Sequence, residues 1–474
     1  MESTRAIGYS LEAAIADVVD NSIAAEARNI SISFFPVDQE YVCILDDGHG
    51  MNSDEITNAM QYGSKNPKDV RSINDLGRFG LGLKTASLSQ CRVLTVASKK
   101  SGKIVCRQWD LDYISTTEKW TLKGLNEDEI QNLPGIKALN ELNTGTLVVW
   151  QNLDRMRLGE ANFESAMGRK MNDVRDHLSL VYHRYLSSEM GSKRITITLN
   201  NLPVLPDDPF VEKKSEVPMD DEILAIGKSR VKVRTYILPH PSKLEKSELD
   251  KLGGKDGMRR QQGFYVYRNK RLLVWGTWFH MMRQAELSKL VRIRVDIPND
   301  LDDLWTLDIK KSTAIPPEVV KKNLKALIER MSERSKRTWT FRGKKEVDDH
   351  IEHVWNRLKT NTGGYLYEIN RNHSMIQSCI QQYPDAKNYI YAILKQIEGS
   401  LPLNAMYVDL SSDEKIDNET MISLNEVKDV MRTILKPTDI DTRKTLFESI
   451  IISEPFIQFD TDLRKAFERG DFDD

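Results

Sequence analysis

The stretch YSLEAAIADVVDNSIAAEA, from Tyr9 to Ala27, decides how the rest of the chain is read. At 3.6 residues per turn, Leu11, Ile15, Val18, Val19 and Ile23 share one face, while Asp17 and Asn21 fall one turn apart on the opposite face. The spacing predicts an amphipathic helix with a chemical edge. A carboxylate and a carboxamide at i and i+4 can serve one small ligand together. The first orients a water or takes its proton, and the second offers an oxygen to a hard cation. Many helices carry Asp and Asn on a wet face, so the segments that follow must decide.

The chain has 474 residues, more than one core usually holds, with 40% hydrophobic and 29% charged residues. Its 68 Lys and Arg against 70 Asp and Glu leave a net charge of -2, so any basic surface is local. Cys43, Cys91, Cys106 and Cys379 form no CxxC pair, which speaks against a zinc site and fits a reducing cytoplasm. With neither a signal peptide nor a bilayer-length apolar run, a soluble cytoplasmic protein is expected.

Strands are predicted at ISISFF, Ile30 to Phe35, and YVCIL, Tyr41 to Leu45, the second running into DDGHGM, Asp46 to Met51. Gly48 and Gly50 allow a sharp turn and close approach to a ligand, and Asp46 can accept a hydrogen bond from an exocyclic amine. Ser53 is expected to cap a short helix. The polar segment from Gly63 to Phe79 reads as a loop able to close over a ligand. It leads into GRFGLGLKTASLSQC, Gly77 to Cys91, whose glycines precede a helix. Amides at such a helix start suit phosphate, and Lys84 adds a charge. The spacing is neither that of a P-loop nor that of a dinucleotide fingerprint. Further strands are expected at 92–98, 103–109 and 146–150, the last introduced by Thr144-Gly145-Thr146.

In this order, ADVVDNSIAA, DDGHGM, GRFGLGLKTAS and GTLVVW resemble the four motifs of the GHKL ATPases, which include gyrase B, MutL, ATP-driven heat-shock chaperones, histidine kinases and MORC proteins. The sequence looks most like MORC and bacterial MORC-like or MutL-like ATP-binding proteins. The histidine kinases match less well, because nothing resembles their phosphorylated histidine region. The resemblance implies a two-layer α/β sandwich with a mixed sheet over residues 1–188, which binds and hydrolyses ATP. It implies that Asn21 holds Mg2+ against the phosphates, that Asp46 reads the adenine amine with Gly48, Gly50 and Met51 beside it, and that Thr146 completes the adenine and water network. Gly80, Leu81, Gly82, Leu83, Lys84 and Thr85 would form the phosphate cradle under a lid at 63–79. Two departures stand out. Asp17 takes the place of the family's catalytic Glu, and Ala24 the place of an Asp just after the Asn-Ser pair, which points to slow hydrolysis.

Residues 162–186 read as a long helix carrying His177 and His183, to which no role is given. Strands are then expected at 194–199, 229–238, 263–267, 271–275 and 291–297, and GFYVYRNKRLLVW is a hairpin with Asn269-Lys270 at its tip. This α/β segment, 189–345, resembles the transducer domain that follows the nucleotide domain in MutL, gyrase and MORC. There a lysine reaches the terminal phosphate; Lys310 and Lys311 are the candidates, Lys310 preferred. Ten basic residues between Lys321 and Lys345, with Trp339 and Phe341 among them, could contact DNA, although a solvated helix face and linker has the same composition. Residues 346–474 read as a mostly helical domain offering a surface to a protein partner. The whole reads as an ATP-dependent clamp that forms a homodimer on nucleotide binding and serves a DNA-related process, or else as a weakly hydrolysing interaction module or chaperone.

Overall fold

Ser10 opens helix α1, Leu11–Ala24, by accepting a hydrogen bond from the Ala13 amide, so the helix begins where its apolar periodicity begins. In this computed structural model the residues described are Arg5, 8–61, 82–187, 194–217, 221–254, 257–285, 288–301, 305–307, 314–328, 352–359, 365–403, Met406, 423–435, 440–453 and 455–472. The chain divides into two compact units, Met1–Arg342 and Gly343–Asp474.

In the first unit α1 is followed by β1 (Asn29–Phe35), β2 (Tyr41–Asp46), α2 (Ser53–Met60), α3 (Gly82–Leu88), β3 (Val93–Lys100), β4 (Lys103–Asp110), β5 (Lys123–Gly124), β6 (Gly145–Gln151) and α4 (Phe163–Val181). Strands β7 (Thr196–Leu199) and β8 (Leu202–Pro203) complete an eight-stranded sheet in the order β5-β4-β3-β6-β2-β1-β7-β8. Its pairings are antiparallel except β1 with β7, which makes the sheet mixed. Successive side chains point to opposite faces. Val42, Ile44, Val148 and Trp150 therefore meet Ile15, Val18 and Val19 of α1 and Met167, Val174 and Leu178 of α4 on one face. Cys43, Leu147 and Val149 meet Leu133, Ile136 and Leu139 on the other. Each such aliphatic side chain contributes about 1.5–3 kcal/mol by leaving water. Burial also pushes the Cys43 and Cys106 thiols up to about 12, so they pack as inert groups.

Three details differ from the sequence expectation. The cap of α2 is Asn52 and not Ser53. Its side chain accepts from the Asp54 and Glu55 amides while Glu55 returns to the Asn52 amide, because that reciprocal box satisfies two orphan donors at once. The strand expected at 194–199 in the middle domain, β7, extends the first sheet together with β8, since the parallel register of Asn29 to Ile32 with Thr196 to Leu199 covers the β1 edge. Asp17, expected on a wet face, is 3% exposed, because the side of α1 away from the first sheet is covered too.

That cover comes from α3, whose Gly82 faces Asp17, and from Arg271 of a second sheet of the same unit, in the order β12-β11-β13-β10-β9, where β9 is Glu222–Ile226, β10 Ser229–Ile237, β11 Gly263–Arg268, β12 Arg271–Thr277 and β13 Val291–Ile297. Alternation in β11 sends Phe264 and Val266 to a core with Trp305, Val320 and Leu324. Tyr265 and Tyr267 face the other way, to Phe210 and Leu180. On this aromatic face Arg292 donates to the carbonyls of Pro209 and Leu252, both at 2.7 Å, and Arg184 pairs with Asp296. Asn269 and Lys270 both have positive φ, 48° and 66°, as a two-residue turn between right-twisted strands requires.

The second unit contains a hairpin of β14 (Trp355–Lys359) and β15 (Tyr365–Ile369) with several helices. Its core gathers Val427, Met431, Leu435, Phe447, Ile450 and Leu463. Among the described residues no helix is long and apolar enough to cross a membrane.

His177 and His183 lie between the two sheets of the first unit. Burial, reinforced by the charge of Arg271, lowers His177 from 6.5 to about 4. Burial, with Arg184 and Arg294, lowers His183 to about 3, while its Nε2 stays 2.7 Å from the Tyr267 hydroxyl. Both are neutral when folded and protonate readily when unfolded. Their stabilising contribution is present above pH 6.5 and is lost as pH falls toward 4 and 3. Thermal melts of the protein should show a falling midpoint across that window, and a His177→Gln/His183→Gln variant should show a shallower fall.

Candidate functional site

Strand register builds the site. Asp46 of β2 lies opposite Thr146 of β6, and Ser98 of β3 lies opposite the same Thr146. Counted by twos from Val42 and Ile44, from Val148 and Trp150, and from Leu94 and Val96, all three share the face that carries α1. A row of polar groups thus forms at one end of three adjacent strands. The Asp46 carboxylate accepts from the Ser22 hydroxyl of α1 at 2.7 Å and from the Gly48 amide at 3.0 Å. The Ser98 hydroxyl lies 2.9 Å from that of Thr146 and takes the Met51 amide at 2.8 Å. Burial raises the Asp46 carboxyl above its ordinary value, although hydrogen bonds from Ser22, Gly48 and the Thr146 backbone oppose the shift. A buried acceptor of this kind waits for a donor that can share its charge.

Glycine is required where this loop crosses the strand ends. A Cβ on Gly50, whose φ is +66°, would sit 2.0 Å from the Lys99 carbonyl oxygen, and one on Gly145 would sit 2.3 Å from that of Asp46. Neighbouring Asp47 holds the loop from outside. Partial burial would raise its carboxyl, but the amides of Asn29 and Arg28 and the Asn29 side chain keep it below the usual carboxylate range.

Immediately before Ser22, the Asn21 side chain is exposed and its amide nitrogen donates to the Asp17 carbonyl at 2.9 Å. Asp17 is buried, with one carboxylate oxygen 3.1 Å from the Tyr9 hydroxyl. Gly82, the first residue of α3, faces this carboxylate; a Cβ there would lie 3.5 Å from Oδ2. Leu83 packs half-buried on the first core and Thr85 is buried. Lys84 departs from expectation. It is 1% exposed, and its ammonium donates to the carbonyls of Ala59 and Gln61 at 2.9 and 2.8 Å. The C-terminal end of α2 leaves carbonyls without helical partners, and a cation satisfies them. The side chain therefore ties the glycine-rich segment to α2 and does not present its charge outward. Gly80, Leu81, the 63–79 lid, Lys310 and Lys311 lie outside the described residues.

The structure brings Asp46, Gly48, Gly50, Met51 and Thr146 to one end of the first sheet, and sets Gly82 against Asp17, one turn before Asn21 on α1. It adds Ser22 and Ser98, which motif reading passed over. Ser22 follows Asn21 directly, and Ser98 is recoverable from strand parity, but neither hydroxyl announces a function without its partner.

Residues 9–146 match the family described as histidine kinase-, DNA gyrase B-, and HSP90-like ATPases. This part of the chain is a GHKL-type ATPase domain. ATPase morc-1 of Caenorhabditis elegans is 25% identical over 257 residues, covering 45% of this chain and 30% of the nematode protein. MORC family CW-type zinc finger protein 1 of Mus musculus and ATPase MORC2 of Homo sapiens are each 30% identical over 99 residues, 20% of this chain and 10% and 9% of theirs. The chain thus spans less than a third of the length of these relatives. Among solved structures, the N-terminal domain of a DNA repair protein aligns with a TM-score of 0.43 and 16% identity, covering 70% of this chain and 97% of that one.

Two outcomes are expected of positive-φ glycines, one in this loop and one in the β3–β4 turn. Gly50→Ala should destabilise the protein by about 3 kcal/mol in urea denaturation, because strained φ and a backbone collision act together. Gly102→Ala, where φ is +76° but the Cβ meets nothing within 4 Å, should cost clearly less.

Proposed function

We propose that this chain is an ATP-driven clamp: the GHKL domain binds ATP with Mg2+, hydrolyses it slowly, and couples the cycle to association of two copies. The observation that carries the proposal is the buried Asp46 carboxylate, held by Ser22 and Gly48 in a polar row with Thr146 and Ser98. An exocyclic adenine amine is the donor this acceptor suits, and Gly48, Gly50 and Met51 let the backbone approach the base.

Asn21 fits a hard cation, since it stands exposed and its nitrogen is already bonded to the Asp17 carbonyl, leaving the amide oxygen for the metal. Bound Mg2+ would supply neutralisation of phosphate charge. Asp17 is the group assigned to orient water and take its proton, with Tyr9 fixing one carboxylate oxygen. Aspartate is one methylene shorter than glutamate and this one is engaged at both oxygens, which favours a low turnover number. The names of the relatives, ATPase morc-1 and ATPase MORC2, support the reaction class. The DNA link is a further part of the proposal and rests on the basic residues from Lys321 to Lys345, of which Lys321, Lys322 and Lys325 are described.

Steady-state phosphate release and equilibrium binding of a fluorescent ATP analogue test the site. Asp17→Ala should keep binding and lose turnover, whereas Asp46→Asn should weaken binding about 10- to 100-fold, the loss of a charge-assisted hydrogen bond. If both variants turned over like the parent, the site assignment would fail. Because the Asp46 carboxyl is raised, and its ionised form is the stronger acceptor from an amine, binding should weaken as pH falls through a midpoint above the ordinary carboxylate value. Light scattering with and without a non-hydrolysable ATP analogue should show dimers only with nucleotide. Salt-dependent retention of the protein on duplex DNA supports the DNA link, and its absence would turn the proposal toward a protein client.

A further inference from the structure

Every residue of α1 from Ala14 to Asp20 is buried, and two of these, Asp17 and Asp20, are carboxylates. An ionised carboxylate removed from water needs a cation and hydrogen bonds close by. The cation comes from the second sheet, and further hydrogen bonds come from tyrosines beside α1 and at the end of α4. Arg271, 4% exposed and the first residue of β12, donates its Nε to Asp20 Oδ1 at 2.8 Å. The Tyr182 hydroxyl lies 2.7 Å from the same oxygen and its ring lies 5.9 Å from the guanidinium carbon. A second nitrogen of Arg271 stands 3.9 Å from Asp17 Oδ1, opposite the oxygen that Tyr9 engages. The turn before Arg271 is held as well, because the Tyr185 hydroxyl donates to the Asn269 carbonyl.

We propose that Arg271 is a positioning residue for hydrolysis: seated on Asp20, its guanidinium holds the Asp17 carboxylate in its working orientation, so the acid is competent only while the β11–β12 hairpin is docked on α1. The proposal rests on the assignment of Asp17 as the water-orienting group. Three features support it. The planar guanidinium fork can face two carboxylates at once, which a single ammonium cannot do with the same geometry. Attraction over 3.9 Å acts strongly where water is excluded, and Asp17, Asp20 and Arg271 are each no more than 4% exposed. Finally, Arg271 lies 251 residues beyond Asp20 in the chain and belongs to the other sheet. Any displacement of that sheet from α1 therefore acts directly on the carboxylate assigned to the chemistry.

A pin that merely joins the sheets would alter stability and leave the kinetic split untouched, so the test reads kcat and KM separately in the full-length chain, alongside thermal melts. The neutral pair Asp20→Asn/Arg271→Gln avoids leaving one buried charge alone. It should bind the fluorescent ATP analogue within about threefold of the parent while kcat falls about a hundredfold, as misaimed catalytic groups do. Arg271→Lys, which keeps the charge but not the fork, should lower kcat about tenfold with KM unchanged. If the double variant is too unstable to assay, Arg271→Lys decides alone. A parent-like kcat, or a change confined to KM, overturns the role of Arg271. A parent that binds ATP and releases no phosphate overturns the hydrolytic reading itself, and the role given to Arg271 with it.

Discussion

The constraint on which the first unit depends is that α1 is enclosed on both sides. Its apolar residues Ile15, Val18 and Val19 lie on the first sheet with Val148 and Trp150, while Asp17 and Asp20 turn toward the hairpin of the second. A helix that ordinary amphipathicity would leave half wet is dry over seven successive positions. Two acidic side chains in such surroundings are tolerable only with Arg271, Tyr182 and Tyr9 against them. The electrostatics keep Arg271 charged: burial would lower it, but Asp20, Tyr182 and Asp17 outweigh that and raise it above its ordinary value. The two sheets are thus joined through the helix that also borders the site.

A second constraint is strand register. Because side chains alternate, a slip of one residue between β2 and β6 would turn Asp46 or Thr146 away from α1 and break the row with Ser98. The register is secured by apolar neighbours of the same parity and by the close approach of Gly50 to Lys99 and of Gly145 to Asp46. The polar row therefore inherits its precision from the core beneath it. The polar row and the packing are built on the same strands.

Much of this was legible in the chain. The α1 periodicity, the strands at 29–35, 41–46, 93–100, 103–110 and 145–151, and the turn at Asn269-Lys270 follow from local pattern, and each was placed within two residues. Less visible were β7 and β8, whose short strands carry no sign of which sheet edge they will cover. Lys84 misled because a lysine after glycines reads as a phosphate ligand, whereas the carbonyls of Ala59 and Gln61 compete for it only once α2 and α3 have packed. Asp20 and Arg271 were invisible for the same reason, since neither residue type signals a partner 251 positions away.

By itself, then, the sequence determined the elements and the order of the four motifs, because turn chemistry, β-branched runs and helical spacing are properties of neighbours in the chain. Only the tertiary structure decided which side of α1 is dry, that Asp46 is held by Ser22 from a helix 24 residues upstream, and that a guanidinium from the second sheet sits beside Asp17. Those outcomes depend on desolvation and on distances between elements. Both come into being only when the sheets close on the helix.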